Sequence, residues 1–143
     1  WFGRALALHD GGVETIWVVR DQRSGQLVGS TRYLAITAPH RRVEIGGTWY
    51  IPAARGTHVN RGAKLALLEH AFGPLACVRV ELKTDLRNIV SQRAIEKLGA
   101  TKEGTFRQHM ILGDGYLRDT VYYSILDREW PAIEAQLRAA IEE

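Results

Sequence analysis

Four segments of the chain carry residues whose types and spacing could bind an anion or move a proton. The first runs from Pro52 to Asn60, where a strand-like stretch passes through small residues into a helical pattern. The start of a helix leaves backbone N–H groups unpaired and carries partial positive charge, so a pyrophosphate could rest there with Arg55 beside it. An ordinary strand-to-helix connection, with Asn60 as the N-cap, would explain the same residues.

The second segment joins Asn88 and Ser91 at the start of another predicted helix. Residues three apart share one face of a helix, so both side chains could reach into a cleft between helix and sheet. The alternative is that Asn88 caps the helix and Ser91 faces solvent.

The third segment extends from Arg42 to Ile51 and contains two glycines, Gly46 and Gly47, inside a strand pattern. Such glycines predict a β-bulge or the close approach of a ligand to the backbone. A bulge also exposes an N–H group that the strand ladder does not use. Glu44 lies near this point and could be a general base, or simply a surface glutamate.

The fourth segment, 115–124, is most simply structural. Arg118 and Asp119 could form an ion pair at a strand start, and Tyr122 and Tyr123 should face opposite sides of a sheet. The five histidines show no metal-binding spacing, and neither a phosphate-binding Walker loop nor a serine-nucleophile motif is present. We therefore predict no metal site and give the histidines structural or surface roles, with His58 set apart because it lies in the first segment.

These segments need a particular order of elements to position them. Hydrophobic periodicity and turn residues predict the end of a helix at 1–8, closed by a glycine turn. They predict strands at 14–20, 27–36, 43–51, 78–84, 101–111 and 116–126. They predict further helices at 60–72, 88–98 and 127–141. Hairpins thus flank a central βαβ unit, which is typical of an α+β fold with a mixed sheet.

Composition sets outer limits. The 143 residues suit one domain, 1–143, and 45% hydrophobic with 24% charged residues is ordinary for a soluble globular protein. The net charge of +3 is spread along the chain, so nucleic acid is an improbable partner, and no apolar run is long enough for a bilayer. Cys77 is the only cysteine, which favours a reducing, cytoplasmic setting. The chain opens on Trp1 without an initiator methionine, so a natural N-terminal segment could precede it.

Taken in order, these pieces resemble the GCN5-related N-acetyltransferases (GNAT), and within them the RimJ/RimL-like ribosomal-protein N-acetyltransferases. The resemblance runs from about Leu27 to the C-terminus. It rests on segments 27–33, 44–49, 55–60, 63–64, 70–72, 79–85, 98–100, 103–104 and 119–124, together with Asn88 and Ser91.

The resemblance implies a mixed, mostly antiparallel sheet, splayed at its centre between segments 43–51 and 78–84, with helices on both faces. It implies that acetyl-CoA is the co-substrate and that a primary amine receives the acetyl group directly in a ternary complex. Glu44 would be the base and Ser91 would lie near the sulfur. The implied cofactor-binding residues are Trp49, Tyr50, Ile51, Arg55, Gly56, Thr57, His58, Val59, Asn60, Asn88 and Ser91.

Three departures from the family pattern keep an alternative open. His58 and Asn60 occupy positions of the phosphate loop where the family has small residues, and Ile95 stands where a tyrosine acid is frequent. The family's first strand and the helix that lines the amine site are largely missing from the sequence. A catalytically inactive CoA-binding or dimerisation module of the same fold is therefore the second hypothesis, and a homodimer is plausible by resemblance. The acceptor amine stays open among protein N-termini and small-molecule amines.

Overall fold

The computed structural model describes residues 14–142, so the helix end predicted at 1–8 lies outside the described residues. Within that range the chain forms six strands and three α-helices. The strands are β1 (Thr15–Arg20), β2 (Leu27–Thr37), β3 (Arg42–Tyr50), β4 (Arg79–Asp85), β5 (Thr101–Ile111) and β6 (Leu117–Leu126). The helices are α1 (His58–Phe72), α2 (Ile89–Lys97) and α3 (Trp130–Glu142).

The six strands form one mixed sheet in the order β1-β2-β3-β4-β6-β5. The predicted hairpins β1–β2 and β5–β6 are confirmed as antiparallel pairs, and only β3 and β4 run parallel. Strands β1 and β5 lie at the two edges. β1 is the first described strand and lies at one edge, so all the other strands lie on one side of it, with β5 at the far edge.

One face of the sheet is apolar and carries the core. Alternating residues of β2, β3, β4 and β6 point to this face, where they pack against side chains of all three helices. The central core residues from the sheet are Tyr33, Val43, Ile45, Val80, Leu82, Val121, Tyr123 and Ile125. A smaller cluster under the start of α1 contains Val19, Val28, Tyr50, Ala54 and Val59.

The expectation of helices on both faces is met on only one of them within residues 14–142. Chain connectivity explains this. The crossovers from β3 through α1 to β4, and from β4 through α2 to β5, advance in the same direction across the sheet. Right-handed crossovers that advance the same way place their helices on the same face. The opposite face, called the polar face below, carries charged side chains from the central strands.

The predicted splaying of the sheet is confirmed between its two parallel strands. β3 and β4 pair only at Arg42–Arg79, Val43–Val80 and Glu44–Glu81. Beyond Glu44 the two strands no longer share a ladder, so β4 continues along β6 and β3 continues along β2. We call the gap between segments 45–50 and 82–85 the split.

Two glycines offer a matched test of how tightly β2 and β3 are packed. A Cβ atom on Gly29 would lie 2.2 Å from the backbone oxygen of Trp49, whereas one on Gly62 of α1 would meet nothing within 4 Å. Gly29→Ala should therefore lower the free energy of unfolding by about 3 kcal/mol. Gly62→Ala should raise it by about 0.5–1 kcal/mol through helix propensity. Urea unfolding followed by circular dichroism measures both, and a Gly29→Ala variant as stable as the parent would contradict this packing.

Candidate active site

An ion network on the polar face fastens the closed half of the sheet, below the split. Arg42 of β3 and Arg79 of β4 both donate to one carboxylate oxygen of Glu81, each at 2.9 Å. Arg79 also donates two hydrogen bonds to Glu103 of β5, at 2.7 and 2.5 Å, and the Ser124 hydroxyl of β6 donates to Glu103 at 2.8 Å. The hydrogen bonds from Arg79 are the main cause that lowers the pKa of Glu103 to about 2. Four strands are thus tied together immediately below the point where two of them part.

Glu44 lies at that point, because it forms the last ladder pair before the split. Its side chain is buried, which excludes the surface-glutamate alternative, and its Oε2 atom lies 2.9 Å from Nζ of Lys83. Lys83 in turn lies 5.8 Å from the ring centre of Tyr122. A buried carboxylate on the polar face, at the apex of the split, therefore has a cation as its immediate partner.

The predicted β-bulge in β3 is confirmed. The register with β2 shifts between the Arg32–Gly46 and Ser30–Trp49 pairs, and Gly47 takes a φ of +55° that favours glycine. The extra residue lies in the open half of the sheet, beside the split. There it bends the strand and leaves backbone groups outside the β2–β3 ladder.

A buried lysine supports this bulge from the apolar face. Lys64 of α1 donates from Nζ to Oγ1 of Thr48 at 2.8 Å, and Thr48 Oγ1 lies 2.9 Å from Oγ1 of Thr31. No carboxylate contacts Lys64 in the part of the chain that the structure describes. Burial lowers the pKa of Lys64 to about 8. The sequence analysis gave this lysine no role.

The predicted phosphate loop leads into α1, but its cap differs from the one expected. The helix begins at His58, two residues earlier than predicted, and Thr57 is the N-cap, with its hydroxyl accepting from Val59 N–H at 3.3 Å. The expectation of Asn60 as N-cap is wrong, because Asn60 already lies in the first turn. Arg55 donates from Nε to the backbone oxygen of Tyr50 at 3.0 Å, which holds the exposed guanidinium next to the loop.

His58 contacts the β1–β2 turn, with Nε2 at 3.0 Å from Oδ1 of Asp21. Hydrogen bonds from the Arg23 backbone, the Ser24 side chain and His58 lower the pKa of Asp21 to about 2. Where the family has a small residue, this chain therefore has a side chain tied to the neighbouring hairpin. Gly56 is exposed and precedes the cap.

The other predicted cofactor-binding residues border the split. Trp49 is exposed, Ile51 is half-buried, and Tyr50 is buried with a hydroxyl that has no hydrogen-bond partner among the described residues. Asn88 is the N-cap of α2 and accepts from the Ser91 backbone N–H at 3.0 Å. The interpretation of Asn88 as a helix cap is confirmed, and Ser91, in the first turn of α2, is half-buried.

One group on the polar face was not predicted. Phe106 and His109 of β5 pack against Tyr122 of β6, with ring centres 4.6 Å and 5.6 Å from that of Tyr122. The predicted Arg118–Asp119 ion pair is not what holds Asp119, whose carboxylate instead accepts the Gln108 backbone N–H at 2.7 Å. Tyr122 and Tyr123 do face opposite sides, since Tyr123 lies in the core.

A cavity of about 670 Å³ lies elsewhere, on the apolar face between β1 and α1. Its walls include the ring cluster of Trp17, Tyr33 and His70. Its lining residues include neither Glu44 nor Ser91. The candidate site is therefore the split, where the strand edges are unpaired and the bulge lies alongside.

Comparison with known proteins agrees with this geometry. The sequence profile described as "Acetyltransferase (GNAT) domain" matches residues 1–101. The chain belongs to the GNAT acetyltransferase family. The proteins that it resembles include ribosomal and RimJ-type N-acetyltransferases.

Three of the similar proteins illustrate the resemblance. "Putative ribosomal N-acetyltransferase YdaF" of Bacillus subtilis is 31% identical over 106 residues, which cover 74% of this chain and 57% of YdaF. A GCN5-related N-acetyltransferase from Brucella melitensis is 30% identical with a TM-score of 0.90, covering 98% of this chain and 63% of that one. Mycobacterium smegmatis RimJ, solved with CoA-disulfide, shares the fold with a TM-score of 0.82 at 24% identity, covering 96% and 65%. The chain thus spans less than two thirds of each of these proteins.

Two features are absent from the part of the chain that the structure describes, namely a cluster of metal ligands and a membrane-spanning helix. Between residues 14 and 142, no His, Cys, Asp or Glu side chains cluster in groups of three or more that could hold a metal ion. None of the helices described is both long and apolar enough to cross a bilayer.

The buried Lys64 of this GNAT domain predicts how stability depends on pH. Its pKa falls from 10.5 in the unfolded chain to about 8 in the folded one, so between these values the unfolded chain binds more protons and stability rises with pH. Relative to Lys64→Met, the parent protein should gain about 2 kcal/mol of unfolding free energy between pH 7.5 and 10. Urea unfolding across this range measures the difference, with exposed Lys97→Met as control. Parallel curves for parent and Lys64→Met would contradict a buried ammonium.

Proposed function

We propose that this domain transfers an acetyl group from acetyl-CoA to a primary amine, directly within a ternary complex. The split carries the proposal. In an unbroken sheet the inner edges of β3 and β4 would be paired to each other, but here they face a gap that begins at Glu44. Buried backbone donors and acceptors need partners, and an extended arm with amide groups, such as pantetheine, supplies both kinds.

The residues at the mouth of the split fit the remainder of the cofactor. The first-turn N–H groups of α1, from His58 to Asn60, carry partial positive charge suited to a pyrophosphate. The guanidinium of Arg55 stands beside them. We assign the arm to backbone groups of Trp49, Tyr50 and Ile51, the pyrophosphate to residues 55–60, and a further contact to Asn88.

The reaction requires a neutral amine, since an ammonium group has no lone pair to attack the thioester carbon. Glu44 is the base predicted from the sequence, acting directly or through a water molecule. Its ion pair with Lys83 sets a condition on that role. The Lys83 ammonium occupies Oε2 of Glu44, so an acceptor amine reaches that oxygen only after Lys83 moves away.

Two further groups would act on the thioester. The oxyanion formed by the attack would be stabilised by an N–H group near Trp49 and Tyr50, next to the bulge residues Gly47 and Thr48, which have no register partner in β2. The leaving thiolate needs a proton or a hydrogen bond, and we assign this to the Ser91 hydroxyl. Asn88 caps the backbone N–H of Ser91, so the side-chain hydroxyl is not required for the cap.

The acceptor is proposed only as a class. The name of YdaF points to a ribosomal substrate for that relative, and by analogy we propose a protein N-terminus as the first candidate, with small-molecule amines second. We also propose a cytoplasmic setting, where ribosomes and acetyl-CoA are both present, and leave a homodimer as a further proposal. These statements concern a chain that spans 57% of YdaF.

Acetyl-CoA titration by calorimetry, followed by turnover with a panel of amines, tests the proposed function. The panel should contain peptides with free N-termini, spermidine and amino acids. Arg55→Gln should weaken acetyl-CoA binding about fivefold, since it removes one charge-assisted contact at an exposed site. The exposed, remote Arg128→Gln should leave binding unchanged. Absence of acetyl-CoA binding by the parent protein would refute the assignment.

The inactive-module hypothesis keeps one observation in its favour, namely that the candidate base is engaged by Lys83. The same experiment separates the two readings. A binding module takes up acetyl-CoA but turns over no amine in the panel, whereas an enzyme does both.

Ser91 offers a second test within the enzyme reading. Ser91→Ala should lower kcat about tenfold and leave the Kd for acetyl-CoA within twofold, because the hydroxyl acts on the leaving thiolate rather than on the bound ground state. Ser91→Thr, which keeps a hydroxyl, is the matched control. Equal losses in kcat and in binding would remove Ser91 from this role.

A further inference from the structure

A bulge in β5 turns one histidine toward the polar face. Between the Phe106–Thr120 and Met110–Arg118 pairs, β5 carries two more residues than β6. Gln108 lies inside the bulge with a φ of +48°, and Asp119 holds it there by accepting its backbone N–H. A non-glycine residue with positive φ is uncommon, and bulges near functional sites re-aim side chains.

The result is that the His109 ring is held in a defined position. Its Nδ1 atom lies 3.1 Å from Oγ1 of Thr120, a fully buried residue. Its ring makes edge contacts with Phe106 and Tyr122, at 5.3 and 5.6 Å between centres. His109 itself is exposed. With Nδ1 engaged by Thr120, Nε2 is the nitrogen left to meet a substrate.

The ring also lies level with the split. Thr120 and Tyr122, which it contacts, pair with Asp85 and Lys83 of β4, and both of these belong to the open half of that strand. β6 lies between β5 and β4, and neighbouring strands lie about 4.8 Å apart, so the ring, which contacts β6 side chains, is roughly one strand spacing from β4, with the gap on the far side of β4. An acceptor that lies across β4 on the polar face would reach both the gap and the ring.

We propose that His109, in place of Glu44, takes the proton which the acceptor ammonium must lose before it attacks. This inference rests on the proposed function. In the tautomer required, Nδ1–H donates to Thr120 and Nε2 carries the lone pair. The ammonium gives one proton to Nε2 and becomes an amine, and the amine nitrogen bonds to the thioester carbon. The carbon–sulfur bond then breaks, the nitrogen's surplus proton passes to the thiolate, and His109 later releases its proton to water.

The surroundings distinguish His109 from Glu44. The titratable and charged groups of the polar face include Tyr122 and Arg118 from β6, Lys83 and Asp85 from β4, and Glu44 from β3, together with the ion network of Arg42, Arg79, Glu81 and Glu103. Lys83 contacts Glu44 directly at 2.9 Å and lies 5.8 Å from the centre of the Tyr122 ring. No carboxylate contacts His109 among the described residues. The imidazole can therefore exchange a proton without breaking an ion pair, and Thr120 is its positioning residue.

The test compares variants at both candidate bases, using acetyl-CoA and the best acceptor of the amine panel. His109→Asn places an amide where Nδ1 stands, so it keeps the Thr120 contact but has no basic nitrogen. It should lower kcat/KM for the acceptor about 100-fold at pH 7, and the loss should shrink as pH rises, because more of the amine is then already neutral. The Kd for acetyl-CoA should stay within twofold.

Two further variants keep the result interpretable. His109→Ala opens space beside Phe106, so added imidazole should restore its rate in proportion to the imidazole concentration, which a merely structural role would not allow. Glu44→Gln should keep the parent protein's dependence of kcat/KM on pH, even where its rate falls. Thermal unfolding confirms that each variant is folded.

The outcomes separate this inference from the proposed function. Turnover by the parent protein with an unchanged pH profile in His109→Asn would overturn the role of His109 alone. The same holds if Glu44→Gln loses the pH dependence and imidazole fails to rescue His109→Ala. A parent protein that acetylates no amine would overturn both proposals.

Discussion

The parting of β3 from β4 is the constraint on which the other features of this domain depend. Parallel strands that separate after three ladder pairs leave backbone groups facing a gap, and those groups have to be satisfied by something other than the sheet. The fold therefore has to hold the strands together on one side of Glu44 and apart on the other. The arrangement of charges and the bulge follow from these two requirements.

The closed half is held by charge and the open half by shape. Below Glu44, two arginines share the carboxylate of Glu81 and one of them continues to Glu103 on the edge strand. Above it, the bulge at Gly47 lengthens β3 relative to β2, and Lys64 reaches through the helix–sheet interface to the threonine within the bulge. A lysine buried without a contacting carboxylate among the described residues costs stability, and its hydrogen bond to Thr48 offsets part of that cost.

Most elements could be predicted from the sequence because they depend on local signals. Glycine with serine or aspartate marks the two hairpin turns, alternation marks β4, and Asn88 is an N-cap by residue type and position. The Gly46–Gly47 bulge was predictable because glycines inside a strand pattern are typical of bulges. The N-cap of α1 was misplaced because Thr57 and Asn60 are both good cap residues, and the sequence does not distinguish them. Which face of the sheet the helices cover depends on the direction of the two crossover connections. Hydrophobic periodicity carries no information on that direction.

Only those parts of the candidate site that depend on local backbone structure could be predicted from the sequence. The contacts of Glu44 with Lys83 and of Lys64 with Thr48 join residues that are distant in sequence, and neither shows in any local pattern. The bulge that turns His109 contains no glycine, because the carboxylate of Asp119 from the neighbouring strand stabilises the positive φ of Gln108. Histidine spacing alone therefore indicated nothing, although the residue lies on the face where the candidate groups meet.

The position of β1 at the border of the sheet has a practical consequence. Within the described residues this strand pairs only with β2, and its Val18 and Trp17 side chains are exposed. A strand of this kind presents a row of amide and carbonyl groups to any other extended chain. An additional extended segment, from the same chain or from another, can therefore lengthen the sheet by pairing along this edge.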